Sequence, residues 1–149
     1  MPLRPWLFFL AASLWAQPKD IFLLIGQSNM AGRGVVVAAD KQPLPGIWAF
    51  SKEKTWVPAV EPLHFDRPDR TGVGLARNFA ATLQKLGVAQ EIGLVPAAFG
   101  GSALAEWQPG TEHYRNAIER TRAALAKGGR LRAILWHQGE ADTAKPELA

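Results

Sequence analysis

Ile21-Phe-Leu-Leu-Ile-Gly-Gln-Ser-Asn-Met30 is the stretch that decides how this chain folds. Five apolar residues run without a break into Gly26, the pattern of a strand buried on both faces of a parallel sheet. Such strands end in tight turns at the carboxyl edge of the sheet, where open α/β folds bind their ligands. Ser28 falls on that turn, and the small, helix-compatible residues Met30-Ala31-Gly32 follow it. A serine so placed can serve as a nucleophile, because backbone N–H groups beside it can stabilise a developing oxyanion. The alternative is a serine that merely caps a helix. The spelling Gly26-Gln27-Ser28-Asn29-Met30 is not that of the Gly-x-Ser-x-Gly nucleophile elbow.

Working outward, two further apolar runs end in the same way. Glu91-Ile-Gly-Leu-Val-Pro96 leads into Ala97-Ala98-Phe99-Gly100-Gly101-Ser102, and Leu131-Arg-Ala-Ile-Leu-Trp136 leads into His137-Gln138-Gly139-Glu140. Between the runs lie helical periods. Leu75, Phe79, Leu83 and Leu86 recur on one face of a helix expected from Gly72 to Leu86, with Gly87 as its stop. Tyr114, Ile118, Thr121 and Leu125 do so in a helix expected from Glu112 to Lys127, ended by Gly128-Gly129. Ile47-Trp-Ala-Phe50 is a short strand, and Trp56-Val57 continues it as a hairpin or rim. Pro58 to Gly74 has no period and several prolines, which reads as a long irregular loop, and it carries His64. Strands alternating with helices predict an α/β fold with a parallel sheet. The three polar, glycine-rich turns should then converge on one edge of it.

Composition sets the outer bounds. The 149 residues, 48% hydrophobic and 20% charged, suffice for one globular domain. The formal charge of +4 comes from scattered basic residues with no Lys/Arg run, so no nucleic-acid partner is expected. With no cysteine, disulfides, a thiolate zinc site and a thiol nucleophile are all excluded. His64, His113 and His137 lack paired ligands at metal-binding spacing, and no metal site is expected. His113, opening a helix, is expected to be solvated.

The first residues are a separate unit. Arg4 precedes the apolar run Trp6-Leu-Phe-Phe-Leu-Ala-Ala-Ser-Leu-Trp15, and Ala16-Gln17-Pro18 turns polar. This is the layout of a secretory signal peptide, residues 1–16, and the run is shorter than the ~20 residues a membrane span needs. The expectation is a secreted or periplasmic protein with no stable membrane span after removal of that segment.

Taken together, Gly26-Gln-Ser-Asn-Met30, Val95-Pro-Ala-Ala-Phe-Gly-Gly-Ser102 with Glu106-Trp107, and Trp136-His-Gln-Gly-Glu-Ala-Asp142 resemble the sialate O-acetylesterase-type carbohydrate esterases. That family lies within the SGNH hydrolases and also includes acetylxylan esterases. The resemblance extends over residues 17–149, in the right order. It implies a flavodoxin-like three-layer α/β/α sandwich and hydrolysis of O-acetyl esters on carbohydrates, with an acetylated carbohydrate as substrate and no cofactor.

By the same resemblance Ser28 is the nucleophile, and the oxyanion donors are the N–H of Ser28, the N–H of Gly100 or Gly101, and the side-chain amide of Gln138. Beside these, Asn29, His137 and Glu140 are read as holding the turns in place, His64 in its loop as a rim or substrate contact, and Trp107 as either core or a sugar-stacking rim. Members of the family take their base from a late Asp-x-x-His segment, which does not occur in this sequence. The resemblance therefore implies the N-terminal portion of an esterase domain, incomplete at the C-terminus, with an unpaired sheet edge that favours aggregation. The alternative is a non-catalytic remnant or glycan-binding fragment.

Overall fold

The computed structural model describes residues 17–143, so the expected signal peptide at 1–16 lies outside the described residues. Five strands form one sheet in the order β3-β2-β4-β1-β5. They are β1 (Asp20–Gly26), β2 (Ile47–Phe50), β3 (Trp56–Pro58), β4 (Ile92–Pro96) and β5 (Arg130–His137). β4 and β5 both pair parallel to β1, and β2 pairs parallel to β4. The sheet is mixed rather than wholly parallel, because β3 returns antiparallel on β2 through a short hairpin.

All seven residues of β1 are buried, and their side chains alternate between two cores. Phe22 and Leu24 pack on one face with Ala76, Ala80 and Phe79 of α2 (Ala76–Lys85). Ile21, Leu23 and Ile25 pack on the other with Ala117, Ala124 and Leu125 of α3 (Glu112–Leu125). A strand covered on both sides needs apolar residues at every position, which explains the unbroken run. The result is the three-layer α/β/α arrangement the motifs imply.

The helices depart from expectation in detail. α2 begins at Ala76 rather than Gly72, because Gly72 is held in the preceding loop by an N–H bond to Gly32 O at 3.1 Å. Leu86 lies past its end and is exposed, so the packing face is completed by alanines instead. α3 buries Thr121 as expected, but it buries Ala117 and Ala124, each one position before Ile118 and Leu125 of the expected stripe, and leaves Tyr114 exposed. Small residues let the helix approach the sheet closely, which outweighs the larger side chains beside them.

β5 is the far edge of the sheet, and Leu131, Ile134 and Trp136 on it are exposed at 39%, 54% and 47%. Among the described residues nothing pairs with its outer side. No helix of the described residues is long and apolar enough to cross a membrane.

Candidate functional site

Parallel pairing places the ends of β4, β1 and β5 side by side. Gly26 pairs with His137 and Leu24 with Pro96. The turns beyond are laced to one another by backbone bonds. Phe99 N–H donates to Gly26 O at 2.9 Å, and Gln27 N–H donates to His137 O at 2.9 Å. Gly26 is indispensable to this join, since its φ is +127° and a Cβ would lie 1.9 Å from the His137 carbonyl oxygen.

Side chains then clasp the three turns. Buried Gln27 accepts the Ala141 N–H at 3.3 Å. Asn29 donates to a Glu140 carboxylate oxygen, and the same oxygen lies 3.7 Å from His137 Nε2. Buried Asp142 accepts the Leu104 N–H through both oxygens, at 3.2 and 3.0 Å. Gln138 Nε2 donates to Ser102 O at 2.7 Å, while its Oε1 is buried without a partner. Asn29 and His137 thus both meet the Glu140 carboxylate, joining the first turn to the third. Gln27 and Asp142 clasp the turns as well, although nothing local in the sequence marks them as clasps.

Ser28 opens a one-turn helix, α1 (Ser28–Ala31), and is half-buried. Its hydroxyl makes no hydrogen bond among the described residues. Gly100 faces it, with a Cβ built on Gly100 falling 3.8 Å from Ser28 Cα and 2.3 Å from Arg33 Nη2. Arg67 also reaches this turn, donating from Nη1 to Gly100 O at 2.7 Å. Two guanidinium groups therefore flank the second turn, and neither belongs to the motifs that drew attention to it.

An open hollow of about 460 Å³ borders that turn, lined by Phe99, Ala105, Glu106, Thr111, Glu112 and His113. Its size suits a small ligand. A second hollow of about 310 Å³, between the β2–β3 hairpin and α3, includes none of the motif residues.

Residues 18–149 match the family model described as carbohydrate esterase, sialic acid-specific acetylesterase. The chain belongs to this carbohydrate esterase family. A curated Arabidopsis thaliana protein named as a "Probable carbohydrate esterase" is 38% identical over 143 residues, covering 84% of this chain and 55% of that protein. An Arabidopsis thaliana crystal structure, also 38% identical, superposes with a TM-score of 0.76 over 84% of this chain and 59% of its own. The structure of NanS, at 22% identity, gives 0.67 over 88% of this chain and 56% of that one, a likeness of fold. The chain thus spans a little over half the length of the relatives it matches.

Two sequence expectations need correction, those for His64 and His113, and the open choice for Trp107 falls to the core. His64 is no rim residue. It is 3% exposed, with Nδ1 accepting the Ala98 N–H at 3.3 Å and Nε2 buried without a partner. Trp107 is 5% exposed, and its indole N–H donates to Ser102 Oγ at 2.9 Å, so it supports the turn from inside. His113 is not freely solvated, for its ring stacks on Phe99 at 4.4 Å and lies 5.3 Å from the Trp107 ring. The Pro-rich loop hides His64 because Asp66 ties it to α3 through a two-bond pair with Arg120, at 2.7 and 2.5 Å.

Burial, reinforced by Arg120 and Arg33 and opposed by Asp66, pushes the His64 pKa down from 6.5 to about 4. Folded His64 thus stays neutral where the unfolded chain takes up a proton. Its contribution to stability is complete above pH 6.5, erodes below it, and is lost by about pH 4. Between pH 7 and 4 the wild type should lose about 3 kcal/mol more than a His64→Gln variant. Glu61, whose carboxyl burial pushes up, is common to both proteins and cancels in the difference. Urea titrations of both at each pH measure it, and parallel pH curves would refute this assignment.

Proposed function

We propose that the gene product carrying this chain removes O-acetyl groups from carbohydrates through an acetyl-enzyme at Ser28. The observation that carries the reading is the convergence of the three motif turns on one sheet edge around Ser28. Family membership supports the ester chemistry and a carbohydrate substrate. The sugar is an O-acetylated sialic acid or an acetylated plant polysaccharide such as xylan. Secretion rests on the signal-like residues 1–16.

In this reading Ser28 Oγ attacks the acetyl carbonyl while its proton passes to a base. The oxyanion is met by the Ser28 N–H, a glycine N–H of the second turn and the second amide hydrogen of Gln138. Removing one such donor typically costs about 3 kcal/mol of transition-state stabilisation. The proton then goes to the departing sugar oxygen, and water releases acetate from Ser28. Among the described residues no imidazole or carboxylate bonds to Ser28 Oγ, so the base is assigned to sequence outside them. The hollow beside Phe99 and His113 offers room for a sugar ring.

The unpartnered hydroxyl favours a second reading, in which the protein binds acetylated glycans without turning them over. One assay separates the two. The intact gene product should release acetate from an O-acetylated sugar, with the sugar recovered unaltered apart from its free hydroxyl. Saturable binding of that sugar with no acetate release would support the second reading and exclude the first.

A further inference from the structure

Which glycine of the second turn donates to the oxyanion is left open by the motif, and Arg67 resolves it. Arg67 Nη1 donates to the Gly100 carbonyl at 2.7 Å, and its guanidinium carbon sits 5.3 Å from the centre of the Phe99 ring. A Cβ on Gly101 would lie 3.6 Å from the same Nη1, so Arg67 covers one side of the Gly100–Gly101 peptide. Arg33 Nη2 and Ser28 Cα lie where a side chain on Gly100 would project, 2.3 and 3.8 Å from a Cβ built there. In a trans peptide the C=O and the following N–H point in opposite directions. With Gly100 O fixed on Arg67, the Gly101 N–H points away from Arg67. Neither the Gly100 nor the Gly101 N–H has an acceptor among the described residues.

A Gly-Gly peptide is unusually free to rotate, and Gly101 has φ +86°, a conformation glycine adopts without strain. Rotated by half a turn, the peptide would present its carbonyl oxygen where a donor is required. A charge-assisted bond to that carbonyl favours one of the two orientations. Arg67 is itself well held. Its neighbour Asp66 is paired with Arg120, and Arg120 Nη1 also donates to Pro96 O at 2.9 Å, at the end of β4. The irregular loop thereby delivers one guanidinium to one carbonyl.

From this geometry we infer that Arg67 is a positioning residue. By anchoring the Gly100 carbonyl it turns the Gly101 N–H toward the acyl group at Ser28. The inference rests on the Ser28 esterase reading above. It assigns Gly101, rather than Gly100, as the backbone donor of the second turn, and it gives the Pro58–Gly74 loop a role in the reaction.

The test uses the intact gene product, an O-acetylated sugar, and the variants Arg67→Lys, Arg67→Met and Arg67→Ala. Arg67→Met should lower kcat by about 10²-fold with KM little changed, as expected when alignment rather than binding is lost. Arg67→Lys keeps the charge over Phe99 but not the planar fork, and should fall between Met and wild type. Millimolar guanidinium should restore part of the Arg67→Ala rate without affecting wild type. Unchanged kcat in Arg67→Met, while Ser28→Ala is inactive, overturns the role of Arg67 and leaves the esterase reading standing. Rate losses that only follow the unfolded fraction, with no guanidinium rescue, also overturn it. Activity retained by Ser28→Ala overturns the reading beneath it.

Discussion

Ser28→Ala in the intact gene product should reduce kcat for acetyl-ester hydrolysis by at least about 10⁴-fold, the scale of loss when a nucleophilic serine is removed. Stability should hardly change. The Ser28 hydroxyl makes no hydrogen bond among the described residues, so alanine strands no partner and opens no buried cavity. The oxyanion donors survive in the variant, two of them backbone N–H groups, so the acetylated sugar should still bind with near-normal affinity. Activity and melting temperature measured on one preparation check both halves. A variant that melts like wild type yet keeps most of its rate would remove Ser28 from the mechanism.

Gly26→Ala should have the largest effect on the fold. The added Cβ would fall 1.9 Å from His137 O and 2.6 Å from His137 C, both backbone atoms in the adjacent strand β5. No rotamer change relieves that clash, and the φ of +127° is itself unfavourable for any residue with a Cβ. Relief requires β1 and β5 to part at the end where the first and third turns are joined. A loss of about 4 kcal/mol or more is expected, near the limit of what a small domain tolerates. Gly87→Ala is the matched control. It also has positive φ, +69°, but its Cβ would meet nothing within 4 Å, and it should cost only about 1 kcal/mol. Comparable losses in the two variants would show that backbone conformation, and not the meeting of β1 with β5, dominates at Gly26.

The contrast between these glycines explains what could be read from the chain and what could not. β1, β4 and β5 were legible because each is an apolar run closed by a polar turn, a local signal that parallel pairing converts directly into a shared edge. Ser28, Gly100, Gly101 and Gln138 sit on those turns, so their approach to one another followed from topology alone. Arg33, Arg67, Gln27 and Asp142 act on partners far along the chain. Nothing in their own neighbourhood says that Arg67 will find the Gly100 carbonyl, or Asp142 the Leu104 N–H. His64 was misplaced for a related reason. A histidine in a proline-rich segment reads as exposed, but the Asp66–Arg120 pair folds that segment inward against α3. Trp107 reads equally as core or rim, and the core wins because its indole N–H finds a buried acceptor in Ser102, which satisfies the one polar atom that would otherwise keep it near water.

The serine mechanism is the centre of the account, and a hydrolysis-resistant methylphosphonate ester tests it most directly. Such an ester leaves a tetrahedral adduct on the attacking group that water does not readily remove. The intact gene product should lose acetyl-ester hydrolysis in step with the gain of one phosphonyl group, found by peptide mass mapping on Ser28. Inactivation with the phosphonyl group on another residue, or undiminished turnover once Ser28 is fully modified, would contradict the account.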